Sequence, residues 1–180
     1  MNIVVDDQPI TFTHADFPML ISGAPSAGSS YFSVELMVNL FQNGEKVVLF
    51  SAFEQAKELF KKEVGDAANE NILIIESGDD MAFIEELKNI NDLSERIVLF
   101  KNIDNYDAKL FEALKDAKLV IFSGDLDQCQ FKNELLKKEF KTKIFFSYPK
   151  DVEIDSKIEL PKYCAYIEND THQGIITVAN

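Results

Sequence analysis

Gly23-Ala24-Pro25-Ser26-Ala27-Gly28-Ser29-Ser30 is a phosphate-loop pattern with both outer glycines in place and serine where the phosphate-binding lysine belongs. In a working loop of this kind, backbone N–H groups at a helix N-terminus cradle the phosphates, the lysine reaches the β and γ oxygens, and the following hydroxyl helps to hold Mg²⁺. Here the backbone, the helix dipole and Ser30 remain. Because so short a pattern recurs by chance, its flanks decide whether it is meaningful. Pro18-Met19-Leu20-Ile21-Ser22 is a short, mostly apolar run suited to a buried strand, and Ser29 to Asn43 carries apolar residues on nearly all sides, as a core-packed helix does. Gly44 stands where a helix is capped, and Lys46-Val47-Val48-Leu49-Phe50 supplies a second apolar strand. Strand, glycine loop, helix and strand is the context that the motif requires.

The chain has 180 residues, enough for one domain that buries most of its unfolded surface. The hydrophobic fraction of 46% and the 15 Phe indicate a substantial core. The apolar runs are strand-sized, which argues against a membrane span, and Met1 to Asp7 lacks the basic and apolar regions of a secretory leader. A cytoplasmic location is therefore expected, with Cys129 and Cys164 as core thiols rather than a disulfide. Net charge is −13 and the single arginine is Arg96, so clustered cations able to displace counterions from nucleic acid are missing and no nucleic-acid partner is expected. The acidic surface serves solubility or faces a basic protein.

Along the chain, residues 2–13 read as a short strand pair. Strands follow at 18–22, 46–51, 72–75, 97–100, 119–122 and 144–147, with helices at 29–43, 53–64, 79–90, 106–117 and 130–140. Repeated β-α units of this kind predict an α/β fold with a mostly parallel sheet covered on both faces. After Pro149 the pattern changes, and residues 163–167 and 174–178, separated by a polar stretch, predict a terminal β-hairpin. The expected organisation is one domain over 1–180: N-terminal strands in 1–17, an α/β core in 18–150 and the hairpin region in 151–180.

In these segments the chain resembles the RecA-like P-loop ATPases, and within them the KaiC and RadA branch, over roughly residues 18–125. Phe50-Ser51-Ala52-Phe53-Glu54-Gln55 is similar to the segment in which that branch carries paired acids, the first of which activates the attacking water. Glu54 matches the first acid and Gln55 replaces the second; Glu54 also reads as a solvated acid in a first helical turn. Arg96-Ile97-Val98-Leu99-Phe100 looks like the Walker B strand, which the resemblance implies should end in an aspartate that orders Mg²⁺; Lys101 stands there instead. Both Walker motifs are thus degenerate, and Ser26 fills a loop position that is commonly glycine. Phosphoryl transfer depends on positioning and on neutralising charge, so the joint loss of lysine and metal-ordering acid predicts a large loss of rate. Lys101 could approach the phosphates and substitute for the missing lysine, or point to solvent or an acid.

Asp104 could supply a displaced metal ligand, or Asp104 or Asn105 could cap the next helix. Asp125, after the following strand, lies where RecA-like proteins sense the γ-phosphate, though a turn residue fits as well. His14 and His172 have no partners at metal-ligand spacing, and no metal site is expected. The resulting expectation is a non-catalytic, pseudo-ATPase domain that binds ATP and Mg²⁺ weakly or not at all. It would act as a protein-binding or assembly subunit in a homo- or hetero-oligomer, beside an active ATPase. A weak ATPase using Glu54 with a substitute cation and a nucleotide sensor without turnover are the alternatives.

Overall fold

The computed structural model describes residues 3–5, 8–50, 58, 60–62, 64, 70–75, 80–101, 108–150, 159–161 and 164–177. Strands β1 (Ile3–Val5), β2 (Gln8–Ile10), β3 (Met19–Ser22), β4 (Lys46–Phe50), β5 (Ile72–Ile75), β6 (Arg96–Phe100), β7 (Leu119–Gly124), β8 (Thr142–Phe145), β9 (Cys164–Asn169) and β10 (Gln173–Thr177) join in one sheet. Their order is β2-β1-β10-β9-β8-β3-β7-β6-β4-β5. From β8 to β5 the pairs are parallel; from β2 to β8 they are antiparallel. Helices α1 (Ser29–Gln42), α2 (Asp80–Lys88), α3 (Ala108–Leu114) and α4 (Lys132–Leu136) connect the parallel strands. Of the helix expected over 53–64, residues 58, 60–62 and 64 are described and are helical.

The central strands read as unbroken apolar runs because helices cover both faces of the sheet. Alternate side chains go to opposite sides. Met19, Ile21, Val47, Leu49, Ile97, Leu99 and Ile121 pack with Phe32, Leu36 and Met37 of α1. Leu20, Val48, Phe50, Val98, Phe100 and Phe122 pack with Phe83, Ile84 and Leu87 of α2, with Leu110 and Leu114 of α3, and with Leu135 of α4. Helix α4 is shorter than the 130–140 expected: the chain turns after Leu136, and Phe140 enters the second core layer edge-on to Phe111 and Phe122. Packing of one large ring outweighs another helical turn in a segment that carries three consecutive charged residues at 137–139.

The amino ends of β4 and β6 are held by a charge network. Arg96, nearly buried, donates from Nε to Asp92 Oδ1 at 2.7 Å, and from Nη2 to Asp92 Oδ2 at 3.1 Å and to the Glu70 carbonyl at 2.8 Å. Lys46 Nζ donates to the same carboxylate at 2.9 Å and to Glu95 at 2.5 Å. The bonds from Arg96 and then Lys46 hold the Asp92 carboxyl down to about 2, from an ordinary 3.8. A depressed carboxyl stabilises the fold above its ordinary value, and that contribution disappears as pH falls from about 3.8 through about 2. Acid titration of stability should therefore show a loss in that window that Asp92→Asn, already lower in stability at neutral pH, does not share. Equal acid slopes for the two chains would contradict the assignment.

Candidate functional site: the Gly23–Ser30 loop

Parallel strands end at one edge of the sheet, and the loop leaves β3 at that edge between β7 and β8. The connection through α1 leads from β3 to β4 on one side, whereas α4 carries the chain from β7 to β8 on the other. A crevice forms where connections diverge in this way. Backbone bonds continue the ladders into it: Gly23 N–H donates to the Gly124 carbonyl at 3.2 Å, and Phe146 N–H to the Ser22 carbonyl at 2.8 Å. The buried Ser22 hydroxyl accepts the Leu126 N–H at 3.2 Å, and the buried Ser123 hydroxyl donates to that of Ser33 in α1 at 3.2 Å.

Ala24 to Ala27 form a tight turn closed by a bond from Ala27 N–H to the Ala24 carbonyl at 3.0 Å. Pro25 fixes a negative φ at the first central position and Ser26 has φ 66° at the second, which together make a type II turn. That turn prefers glycine where Ser26 sits. Ser26→Gly should raise stability by roughly 0.5 kcal/mol, the left-handed strain of about 1–2 kcal/mol outweighing the entropy that glycine adds to the unfolded chain. Chemical denaturation of the two chains checks this, and a destabilised variant would contradict it.

Gly28 caps α1 with φ 108°. A Cβ there would lie 3.3 Å from the Phe146 ring, and one on Gly23 would lie 2.8 Å from the Phe146 Cβ. Phe146, buried against Phe32 with ring centroids 5.4 Å apart, thus occupies the space beside both outer glycines. The next residue, Ser147, accepts the Ala24 N–H at 2.7 Å. Neither residue was identified from the sequence as part of the site; only the sheet order, which sets β8 beside β3, brings them to the loop.

Ser29, where the sequence pattern would place a lysine, is 6% exposed, and its Oγ lies 3.1 Å from where a Gly23 Cβ would be, so it faces Gly23. It has no hydrogen-bond partner among the described residues. The backbone N–H groups of Ser26, Gly28, Ser29 and Ser30 also donate to no described residue, leaving a row of donors at the positive end of α1. Among the described residues the loop thus offers backbone and hydroxyl donors.

Lys101 follows β6, and its N–H donates to the Phe50 carbonyl at 3.3 Å. It is 4% exposed, so it does not extend into solvent as a strand-end lysine commonly does. Asp125 is half-buried and accepts the Asp127 N–H at 2.9 Å, while its carbonyl accepts the Gln128 N–H at 3.1 Å, which is the geometry of a turn former. Next to it, burial pushes the Asp127 carboxyl up, but Lys132 and the Lys150 N–H bind it and leave it below the ordinary carboxylate range. Lys132 also donates to the Lys150 carbonyl, tying the start of α4 to the segment after β8. Glu54 and Asp104 lie outside the described residues. Arg96 is engaged by Asp92 and the Glu70 carbonyl at the amino end of β6, at the edge of the sheet opposite the loop. Among the described residues no group of three or more His, Cys, Asp or Glu side chains could hold a metal, and no helix is long and apolar enough to cross a membrane.

No protein-family model matches the chain, and no curated protein matches it in sequence. Solved structures do match its shape. The DNA-packaging ATPase B204 of Sulfolobus turreted icosahedral virus is 14% identical, with 93% of this chain and 100% of that chain covered and a TM-score of 0.65. The pCW3 conjugation coupling protein TcpA, in a monomer form with ATPγS, is 10% identical over 97% of this chain and 64% of that chain, with a TM-score of 0.55. The flagellar accessory protein FlaH from Methanocaldococcus jannaschii is 14% identical over 89% of both chains, with a TM-score of 0.51. Identities this low carry the fold alone, and with the sheet order and the loop at the β3 edge they establish an α/β, RecA-like P-loop NTPase fold for this protein.

Proposed function

We propose that this chain is a RecA-like domain of the KaiC and RadA type that does not turn over ATP and serves as a protein-binding or assembly subunit, beside an active ATPase. The observation that carries the proposal is the buried Ser29, which stands where the resemblance implies a phosphate-binding ammonium, beside a row of backbone donors. Lys101 supports it, because a cation at the end of β6 repels the metal ion that an acid there would order. A triphosphate at this loop would meet dipoles worth about half an elementary charge, against the net −13 of the chain. Two of the structural neighbours are a DNA-packaging ATPase and a conjugation coupling protein, and a shared scaffold without the chemistry suits a subunit that fills a place beside such an ATPase. One domain over 1–180, and work among other proteins in the cytoplasm, belong to the same proposal.

Calorimetric titration with ATP, with and without Mg²⁺, and a turnover assay test it directly. Weak or undetectable binding and no phosphate release are the expected results. Tight Mg²⁺-dependent binding that Lys101→Ala abolishes would replace this reading with the weak-ATPase alternative, in which the buried lysine stands in for the missing one. A change of oligomeric state on adding nucleotide without turnover would make the domain a sensor.

A further inference from the structure

The donors that the loop retains differ from those of a polyphosphate site in charge more than in number. Ser26, Gly28, Ser29 and Ser30 offer backbone N–H groups with no acceptor among the described residues. Ser29 is 6% exposed as a residue; its hydroxyl, likewise unpartnered among them, lies 3.1 Å from where a Gly23 Cβ would be, at the mouth of the same loop. The Ala27 N–H, in contrast, is committed to the Ala24 carbonyl. The positive charge on offer is the partial charge of one helix end, about half an elementary charge. A single negative charge matches that; each further charge on a ligand lacks a counterpart and meets the field of a chain with net charge −13, which salt screens only beyond about 8 Å. A carboxylate carries one charge on two oxygens that together accept about four hydrogen bonds. Backbone N–H groups aided by a hydroxyl are a suitable set of donors for it, as at a helix N-cap where a side-chain carboxylate binds them.

We propose that the Gly23–Ser30 loop is a carboxylate-binding socket, filled by a small organic acid or by an Asp or Glu side chain of the protein with which this subunit assembles. The proposal rests on the reading that the loop does not hold nucleotide. Amide resonances of Ser26, Gly28, Ser29 and Ser30 in the isotope-labelled chain report on it directly. They are followed at constant ionic strength through titrations with sodium acetate, a terminally blocked peptide with one Asp among uncharged residues, inorganic phosphate, and ATP with Mg²⁺. Saturable shifts are expected with acetate or the peptide at lower concentration than with ATP. Ser29→Ala should weaken them by roughly tenfold or more, the factor for one hydrogen bond to a charged acceptor, while Ser29→Lys should reverse the order in favour of phosphate and ATP. Tighter binding of the peptide assigns the carboxylate to a protein, and equal binding assigns it to a small acid. If these amides move with no anion, or only with phosphate, the socket is refuted and the absence of nucleotide binding stands. If ATP with Mg²⁺ saturates them at lower concentration than acetate does, both readings fall.

Discussion

Ser29→Lys combined with Lys101→Asp is expected to raise the affinity for ATP with Mg²⁺ by at least roughly a hundredfold, since each exchange adds a charge-assisted contact worth about 1.5–3 kcal/mol. The backbone is already arranged for it: the row of N–H donors, the αL glycine at position 28 and Ser30 are in place. Ser29→Lys alone should recover part of the phosphate binding and little hydrolysis, because Lys101 would still repel the metal. Ser29→Lys with Lys101→Met separates removal of that cation from creation of an acid, and should lie between the single and double variants. Turnover additionally needs a group to activate water. If Glu54 has the role that the resemblance implies, the double variant gains measurable phosphate release and a further Glu54→Gln removes it. A double variant that folds as the parent does, by circular dichroism and thermal melting, and still binds no nucleotide would mean that the type II turn at Ala24–Ala27 has changed the loop beyond repair by charge.

Phe100→Ala should cost about 4 kcal/mol, a large part of the stability of a domain this size. Phe100 is fully buried at the centre of an aromatic layer: its ring stacks on Phe50 at 4.9 Å and on Phe83 at 5.4 Å, and meets Phe122 edge-on at 6.1 Å. Truncation removes the apolar transfer energy and the ring contacts of three neighbours, and the rigid β4, β6 and β7 backbones around the gap cannot close on it. Phe100→Leu, which keeps most of the volume, should cost about 1–1.5 kcal/mol. The expected consequence for the site is indirect. Lys101 directly follows β6, so loosening this layer would also loosen the position where the resemblance implies a metal-ordering acid. Urea denaturation of the three chains gives the measurement, and a loss below about 2 kcal/mol for Phe100→Ala would show that the layer collapses around the gap.

The fold was legible because its signals are local. Met19-Leu20-Ile21, Val47-Val48-Leu49 and Ile97-Val98-Leu99 are apolar without alternation, which only a strand buried on both faces tolerates, and each precedes a turn or a helical stretch. The place of the loop was legible for the same reason: its two glycines follow an apolar strand and precede a helix, and Gly28 takes a left-handed conformation at the amino end of that helix. By itself, then, the sequence determined the strand and helix alternation and the place of the loop. Tertiary structure alone decided what lies against that loop. Phe146 and Ser147 are more than a hundred residues from the loop, yet the crossover that seats β8 beside β3 sets one against both glycines and bonds the other to Ala24. The burial of Lys101 and the engagement of Arg96 at the far edge also follow from which strands pair, a choice made by long-range packing that no window of the chain contains.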